Sequence, residues 1–157
     1  VLERFGEADL AAALRLCSDE PLLVASRVYN VAADGTFGQG VPGETAAAAV
    51  APGGAARHLN GLSENATFRT NVGFTNTGSA EAEVTVELHA AGGQLLGVRS
   101  YTLPPYGHLQ RSRIFTEVTS AAVTGGWLRA TASGGAVLVY ASVVDARTGD
   151  PSYRLAR

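Results

Sequence analysis

The feature of this sequence that most constrains its fold is a regular alternation of polar and apolar residues between short, turn-rich segments. Residues 81–88 read Glu-Ala-Glu-Val-Thr-Val-Glu-Leu, and a period of two gives a β-strand one solvated and one buried face. Residues 76–79 and 91–94, which flank this run, are rich in Asn, Ser and Gly and favour tight turns. We therefore predict a three-stranded meander over residues 68–76, 82–90 and 94–103.

The second half of the chain continues this pattern. Pro104 and Pro105 end the third strand, because proline has no N–H to donate to a ladder. We predict a strand at 108–114, a short helical turn at 115–122, a strand at 127–132 and a central, doubly buried strand at 136–144, the most apolar run. Together these strands predict an all-β, immunoglobulin-like antiparallel β-sandwich, preceded by a short N-terminal helix and an extra hairpin.

Composition places the chain among globular proteins and excludes two classes. Of its 157 residues 46% are hydrophobic and 17% charged, which is typical of one packed domain. Its basic residues are all Arg and the net charge is −2, so it lacks the basic surface that neutralises nucleic-acid phosphates. No apolar run approaches the roughly 20 residues that span a bilayer. We expect neither nucleic-acid binding nor membrane insertion.

The two ends of the chain resemble each other. Leu14-Arg15 matches Leu128-Arg129 at an offset of 114 residues, and residues 23–28 match residues 139–144. Similar turns follow, at residues 33–36 and 147–150. We interpret this as an internal repeat. Residues 1–43 are then the helix and hairpin of a partial preceding copy, residues 44–57 an Ala/Gly/Pro-rich surface connection, and residues 58–157 a complete β-sandwich repeat.

The partial copy supplies a hairpin that needs a partner. We predict that residues 14–17 pair with residues 22–30, and an isolated two-stranded hairpin is marginal in water. We therefore expect Leu22, Leu23, Val24 and Val28 to form an interface. The hairpin joins either the sandwich of its own chain or a neighbouring subunit or domain, by strand addition at an open edge.

Four segments in this order carry a resemblance to a known family. They are residues 25–30 (Ala-Ser-Arg-Val-Tyr-Asn), residues 33–39 (Ala-Asp-Gly-Thr-Phe-Gly-Gln), residues 68–76 and residues 140–151. The chain resembles the tandem immunoglobulin-like β-sandwich modules of large secreted bacterial surface proteins and extracellular peptidases, as the tail of one copy plus one full copy. The resemblance implies a secreted or cell-surface, non-catalytic, structural or adhesive module.

The polar residues suggest no enzyme and no cofactor. His58, His89 and His108 lack metal-ligand spacing, and no Gly-x-Ser-x-Gly nucleophile motif is present. We predict Cys17 to be a small buried hydrophobic residue. We therefore expect no catalytic, cofactor or metal site formed by these residues.

Calcium binding and glycosylation both stay open. Asp34, Asp145 and Asp150 lie in the repeated turns, where they either brace the turn or offer oxygens to calcium. Asn65-Ala66-Thr67 fits the glycosylation acceptor pattern.

The aromatic residues separate into core and surface candidates. Trp127 and Tyr140 fall in apolar strands, so we predict that they pack in the core. Tyr106 follows two prolines in a turn and is the candidate exposed platform for a ligand such as a sugar ring.

Two functions follow from these expectations. The first is a structural or assembly module, such as a filament or surface-layer subunit, whose partners are copies of itself or neighbouring domains of a larger precursor. The alternative is an accessory binding module that tethers a secreted enzyme to glycan or to the cell surface.

Overall fold

The computed structural model describes residue 6, residues 12–33 and residues 35–157. The short N-terminal helix predicted for the first dozen residues lies almost entirely outside these. The described strands are β1 (Ala25–Ala32), β2 (Gly35–Pro42), β3 (Arg57–Glu64), β4 (Phe68–Asn76), β5 (Ala82–His89), β6 (Leu95–Leu103), β7 (His108–Arg111), β8 (Val123–Ser133), β9 (Val137–Asp145) and β10 (Pro151–Leu155). Two 3-10 helices span Ala46–Ala48 and Ile114–Glu117. No helix in these ranges is long and apolar enough to cross a membrane.

The strands form two four-stranded antiparallel sheets and a separate hairpin. One sheet has the order β10-β9-β4-β7, the other the order β3-β8-β5-β6, and β1 pairs with β2. The inward faces of the two large sheets meet in one core, whose largest fully buried members include Phe74, Phe115, Leu59, Leu128 and Val86. The predicted all-β antiparallel sandwich is confirmed.

The predicted meander is wrong, although the bounds of its three strands are close to those observed. β4 pairs with β9 and β7, whereas β5 and β6 pair with each other in the opposite sheet. The chain crosses between the sheets at Asn76, whose side chain is 1% exposed. Asn76 Nδ2 donates to the carbonyl oxygens of Ala80 at 2.7 Å and Pro104 at 2.9 Å. These bonds satisfy a buried amide and hold the crossover in place.

The predicted central strand is confirmed as β9. It lies between β4 and β10, and its core-facing side chains Val139 and Ala141 are almost fully buried. On its opposite face Ser142 and Val144 are only 6% and 4% exposed. Because both faces are covered, a nearly continuous apolar run was the correct signal for this strand.

The segment 44–57 is more than the predicted surface connection. Val50 is 1% exposed and exchanges two backbone hydrogen bonds with Val137, at 2.8 and 3.0 Å. Pro52 forms a further bridge with Ala132. A β-branched residue inside an alanine-rich run thus anchors the connection in the core.

The hairpin is also built differently from the prediction. β1 pairs with β2 over eight residue pairs, from Ala25 opposite Pro42 to Ala32 opposite Gly35. Residues 12–24, including the predicted partner strand 14–17, form neither helix nor strand. The pairing begins at Ala32 and Gly35, so the two strands are close in sequence, and local pairing of this kind closes a short loop.

Candidate interaction surface

The β1–β2 hairpin contacts the sandwich through β2. β2 lies against β10, and Ser142 Oγ of the neighbouring strand β9 donates to Gln39 Oε1 of β2 at 3.1 Å. Val24 is half-buried where its carbonyl accepts the Gly43 N–H at 2.8 Å. β1 pairs with no described strand other than β2. β2 likewise pairs with no described strand other than β1, so the hairpin docks within its own chain through side chains of β2, and the outer edge of β1 is open.

Three of the four predicted interface residues are not covered by their own sandwich. Leu22 is 57% exposed, Leu23 fully exposed and Val28 61% exposed. The structure thus places these residues in one segment, in which only Val24 is half-buried, against Gly43. Other exposed large apolar side chains extend the same segment: Leu14, Leu16, Tyr29 and Val31. An apolar surface of this kind marks an interaction site on a soluble domain.

Three of the four edge strands of the sandwich, β7, β10 and β3, carry features that disfavour edge-to-edge pairing, in contrast to β1. β7 has only four residues, β10 begins with Pro151, and β3 is irregular at two positions. The pairing of β5 with the edge strand β6 has a register shift at Leu88 and His89. β1 has eight residues, regular pairing and one charged residue, Arg27. Short length, proline, charge and irregularity are the features that prevent edge-to-edge pairing, and β1 lacks most of them.

Tyr106, the predicted ligand platform, is half-exposed but already has a partner. Its backbone has a φ of +55°, and the Arg15 guanidinium carbon lies 5.1 Å from the ring centroid. A hydrogen bond with Tyr106 raises the pKa of Arg15. This contact is a cation–π pair, and a ligand role for Tyr106 stays a prediction. Cys17 is exposed, so its predicted burial is wrong.

Trp127 and Tyr140 face away from the core, contrary to the prediction. Their strand neighbours, such as Leu128 and Val139, take the inward positions, so the alternation places both aromatic rings outside. Tyr140 lies over Gly73, the residue opposite it on β4, and its hydroxyl donates to Gln110 Oε1 at 3.0 Å. Burial raises the pKa of Tyr140.

The three histidines belong to aromatic pairs. His89 stacks on Trp127 with centroids 3.8 Å apart and planes at 1°, and His58 lies 5.9 Å from the same ring. His108 lies parallel to Tyr140 at 6.1 Å, and burial lowers the pKa of His108. Among the described residues, no group of three or more potential ligands could hold a metal ion. These pairs depend on cross-strand register, which spacing in the sequence does not reveal.

The polar turn residues have structural contacts. Asp145 Oδ1 accepts the N–H groups of Arg147 at 2.7 Å and Thr148 at 3.1 Å, which lowers the pKa of Asp145. Asn65 Oδ1 accepts the N–H of Thr67 at 2.8 Å. Asp34 lies outside the described residues. Bracing of the turn by Asp145 is confirmed, while calcium binding and glycosylation at Asn65 stay predictions.

The sequence analysis did not predict the ion pairs that Glu117 and Glu64 form. Glu117 accepts hydrogen bonds from Arg111 Nε and from the Tyr101 hydroxyl, each at 2.8 Å. Burial raises the pKa of Tyr101, and the hydrogen bond to Glu117 raises it further. Glu64, only 5% exposed, pairs with Arg113 at 2.5 Å. Each ion pair joins a carboxylate to a guanidinium from another segment, and it stabilises the fold because the buried charge has a partner.

The described structure defines an all-β sandwich that carries an appended two-stranded hairpin, whose strands pair only with each other. No family model and no curated protein sequence matches the chain. A solved structure entitled "Crystal Structure of Thermotoga maritima 1070" is similar to it, with a TM-score of 0.53 and 12% sequence identity. The match covers 65% of this chain and 91% of that chain. At this identity the likeness shows the fold alone.

Proposed function

We propose that this protein is a non-catalytic structural module whose copies associate through the open edge of β1. The observation that carries the proposal is an eight-residue strand with a free edge and exposed apolar side chains, next to a sandwich in which three of the four edge strands are short, irregular or begin with proline. Unpaired N–H and C=O groups at such an edge are a template for another strand. Backbone hydrogen bonds then supply affinity and side-chain contacts supply specificity.

The partner we propose is β1 of a second copy. Two identical edges can pair antiparallel about a two-fold axis, which is the commonest symmetry of protein dimers. Arg27 is the one charged residue of β1. If the axis passes through the point where Val28 faces Val28 of the other copy, Arg27 faces Tyr29 of the other copy and no like charges meet. The product is a four-stranded sheet between two sandwiches, which is more stable than the isolated hairpin.

The resemblance to tandem β-sandwich modules supports the setting of this association. Those modules belong to large secreted bacterial proteins, so we propose that the module acts outside the cell, in a filament or a surface layer. Growth beyond a dimer requires a second contact, for which the exposed segment with Leu14, Leu16, Leu22 and Leu23 is available.

The test is the mass of the native particle across a dilution series, by light scattering supported by electron microscopy. We expect dimers or larger assemblies that dissociate on dilution. A monomer at every concentration would refute the proposal. It would favour the second candidate, an accessory module that tethers a secreted enzyme to glycan or to the cell surface.

A further inference from the structure

A groove of about 530 Å³ opens beside the turn between β9 and β10. Residues of β3, β4, β9 and β10 line it, so it lies where the edge strands of the two sheets approach each other. This volume is within the range of small-molecule sites, about 300 to 1,000 Å³. It lies apart from the open edge of β1, which is not among its lining strands.

The apolar part of the groove is formed by one aromatic ring and one aliphatic side chain. Phe68 begins β4 and is 37% exposed, although the side chains that follow it on the same face, such as Val72, are buried. Val143, at 8% exposure, lies beside it in the groove lining. An aromatic ring at the end of a strand, open on one side, can contact the C–H face of a flat ligand.

The polar lining consists of acceptors on one side and a guanidinium on the other. Asp145 and Asp150 come from the β9–β10 turn, and Arg154 comes from β10. The Arg154 guanidinium lies over Gly61, where a Cβ atom would stand 3.6 Å from Nη1. Hydroxyl groups of Ser63 and Ser152 complete the polar lining.

These charged groups have unused hydrogen-bonding capacity. Within the described residues, Asp150 and Arg154 form no ion pair and their side chains form no hydrogen bond, and Asp145 uses only Oδ1. By contrast, Arg113 with Glu64 and Arg129 with Glu87 are paired directly. The groove therefore presents acceptors and donors that are free to bind a ligand.

We infer that this groove binds a neutral carbohydrate. A sugar ring offers an apolar C–H face for Phe68 and hydroxyl groups that both donate to carboxylates and accept from a guanidinium. Two carboxylates against one guanidinium give the groove a net negative charge, which disfavours anionic ligands. Tyr106 is not required, because it lies in the β6–β7 turn with Arg15 over its ring.

Affinity electrophoresis of the intact chain tests the inference. The probes are soluble neutral polysaccharides: a β-1,4-glucan, a β-1,3-glucan, an α-glucan, a xylan and a galactomannan. We expect at least one of them to retard the protein. The variants Phe68→Leu and Asp150→Asn should each bind about tenfold more weakly, which corresponds to one lost charged hydrogen bond or ring contact. Glu81→Gln, on an exposed residue outside the groove, is the matched control and should bind like the native chain.

Thermal unfolding of each variant shows whether it folds. If Phe68→Leu does not fold, Asp150→Asn still tests the inference, because it changes an exposed residue and keeps the side-chain shape. The inference is overturned if no polysaccharide retards the protein, or if both groove variants bind like the native chain. Loss of binding in Tyr106→Leu with the groove variants unaffected would also overturn it. So would a rise in unfolding temperature with calcium alone that Asp150→Asn abolishes, because the groove would then be a cation site.

Discussion

The substitution Val28→Lys gives a quantitative prediction for association through β1. Fully burying a valine side chain contributes about 1.5 kcal/mol or more. Val28 is 61% exposed, so pairing can bury enough of it to contribute about 1 kcal/mol in each copy. A two-fold contact contains the residue twice, and the loss is about 2 kcal/mol per dimer, or roughly thirtyfold in Kd. Two ammonium groups near each other weaken the contact further.

Sedimentation velocity across a dilution series measures this change. The matched control is Val98→Lys, which places the same charge on β6, at a residue that is 44% exposed. We expect Val28→Lys to shift the dissociation midpoint to higher concentration and Val98→Lys to leave it unchanged. If the two variants behave alike, β1 is not the contact and the reasoning fails.

Three further predictions concern the outer face of the sheet that contains β9. Gly73→Ala should destabilise the fold by about 1 to 3 kcal/mol, because its Cβ would overlap the Tyr140 ring. Gly92→Ala is the control and should leave the stability unchanged, because Gly92 has open space around it. Equal urea midpoints for the two variants would contradict this prediction. Burial lowers the pKa of His108 below 6.5, so the unfolded chain binds more protons and stability should fall as the pH drops through 6.5; urea titrations of His108→Gln should show a smaller fall. Burial, Glu44 and Tyr140 raise the pKa of Tyr153 to about 12. Stability should therefore be lost as the pH rises from about 10 to about 12, because the unfolded chain loses this proton first. An equal loss of stability in Tyr153→Phe would show that Tyr153 is not the cause.

Strand positions were predictable from the sequence, but strand partners were not. The alternation in residues 81–88 and the apolar run at 136–144 each report the local exposure of a strand, which is a property of neighbouring residues. The partner of β4 depends on a crossover that the buried amide of Asn76 stabilises through three carbonyl groups. No periodicity in the sequence carries that information.

The interface segment was predictable in part. An apolar strand without local partners was apparent from residues 22–30, and most of its large side chains are exposed. Its pairing was not apparent: β1 pairs with β2, the strand that follows it in the sequence, and not with residues 14–17. The groove beside the β9–β10 turn could not be predicted from the sequence, since Phe68, Asp150 and Arg154 come together only when β4 and β10 are assembled into the sheet.

Hydrogen exchange at the backbone amides of Ala25–Ala32, followed as a function of protein concentration, tests the central claim most directly. If β1 edges pair, the amides of β1 that point away from β2 should exchange quickly in dilute solution and become protected as the concentration rises. The amides of β9, already paired on both sides, should show no such dependence. Exchange in β1 that is the same at every concentration, in a sample that nevertheless associates, would contradict the claim.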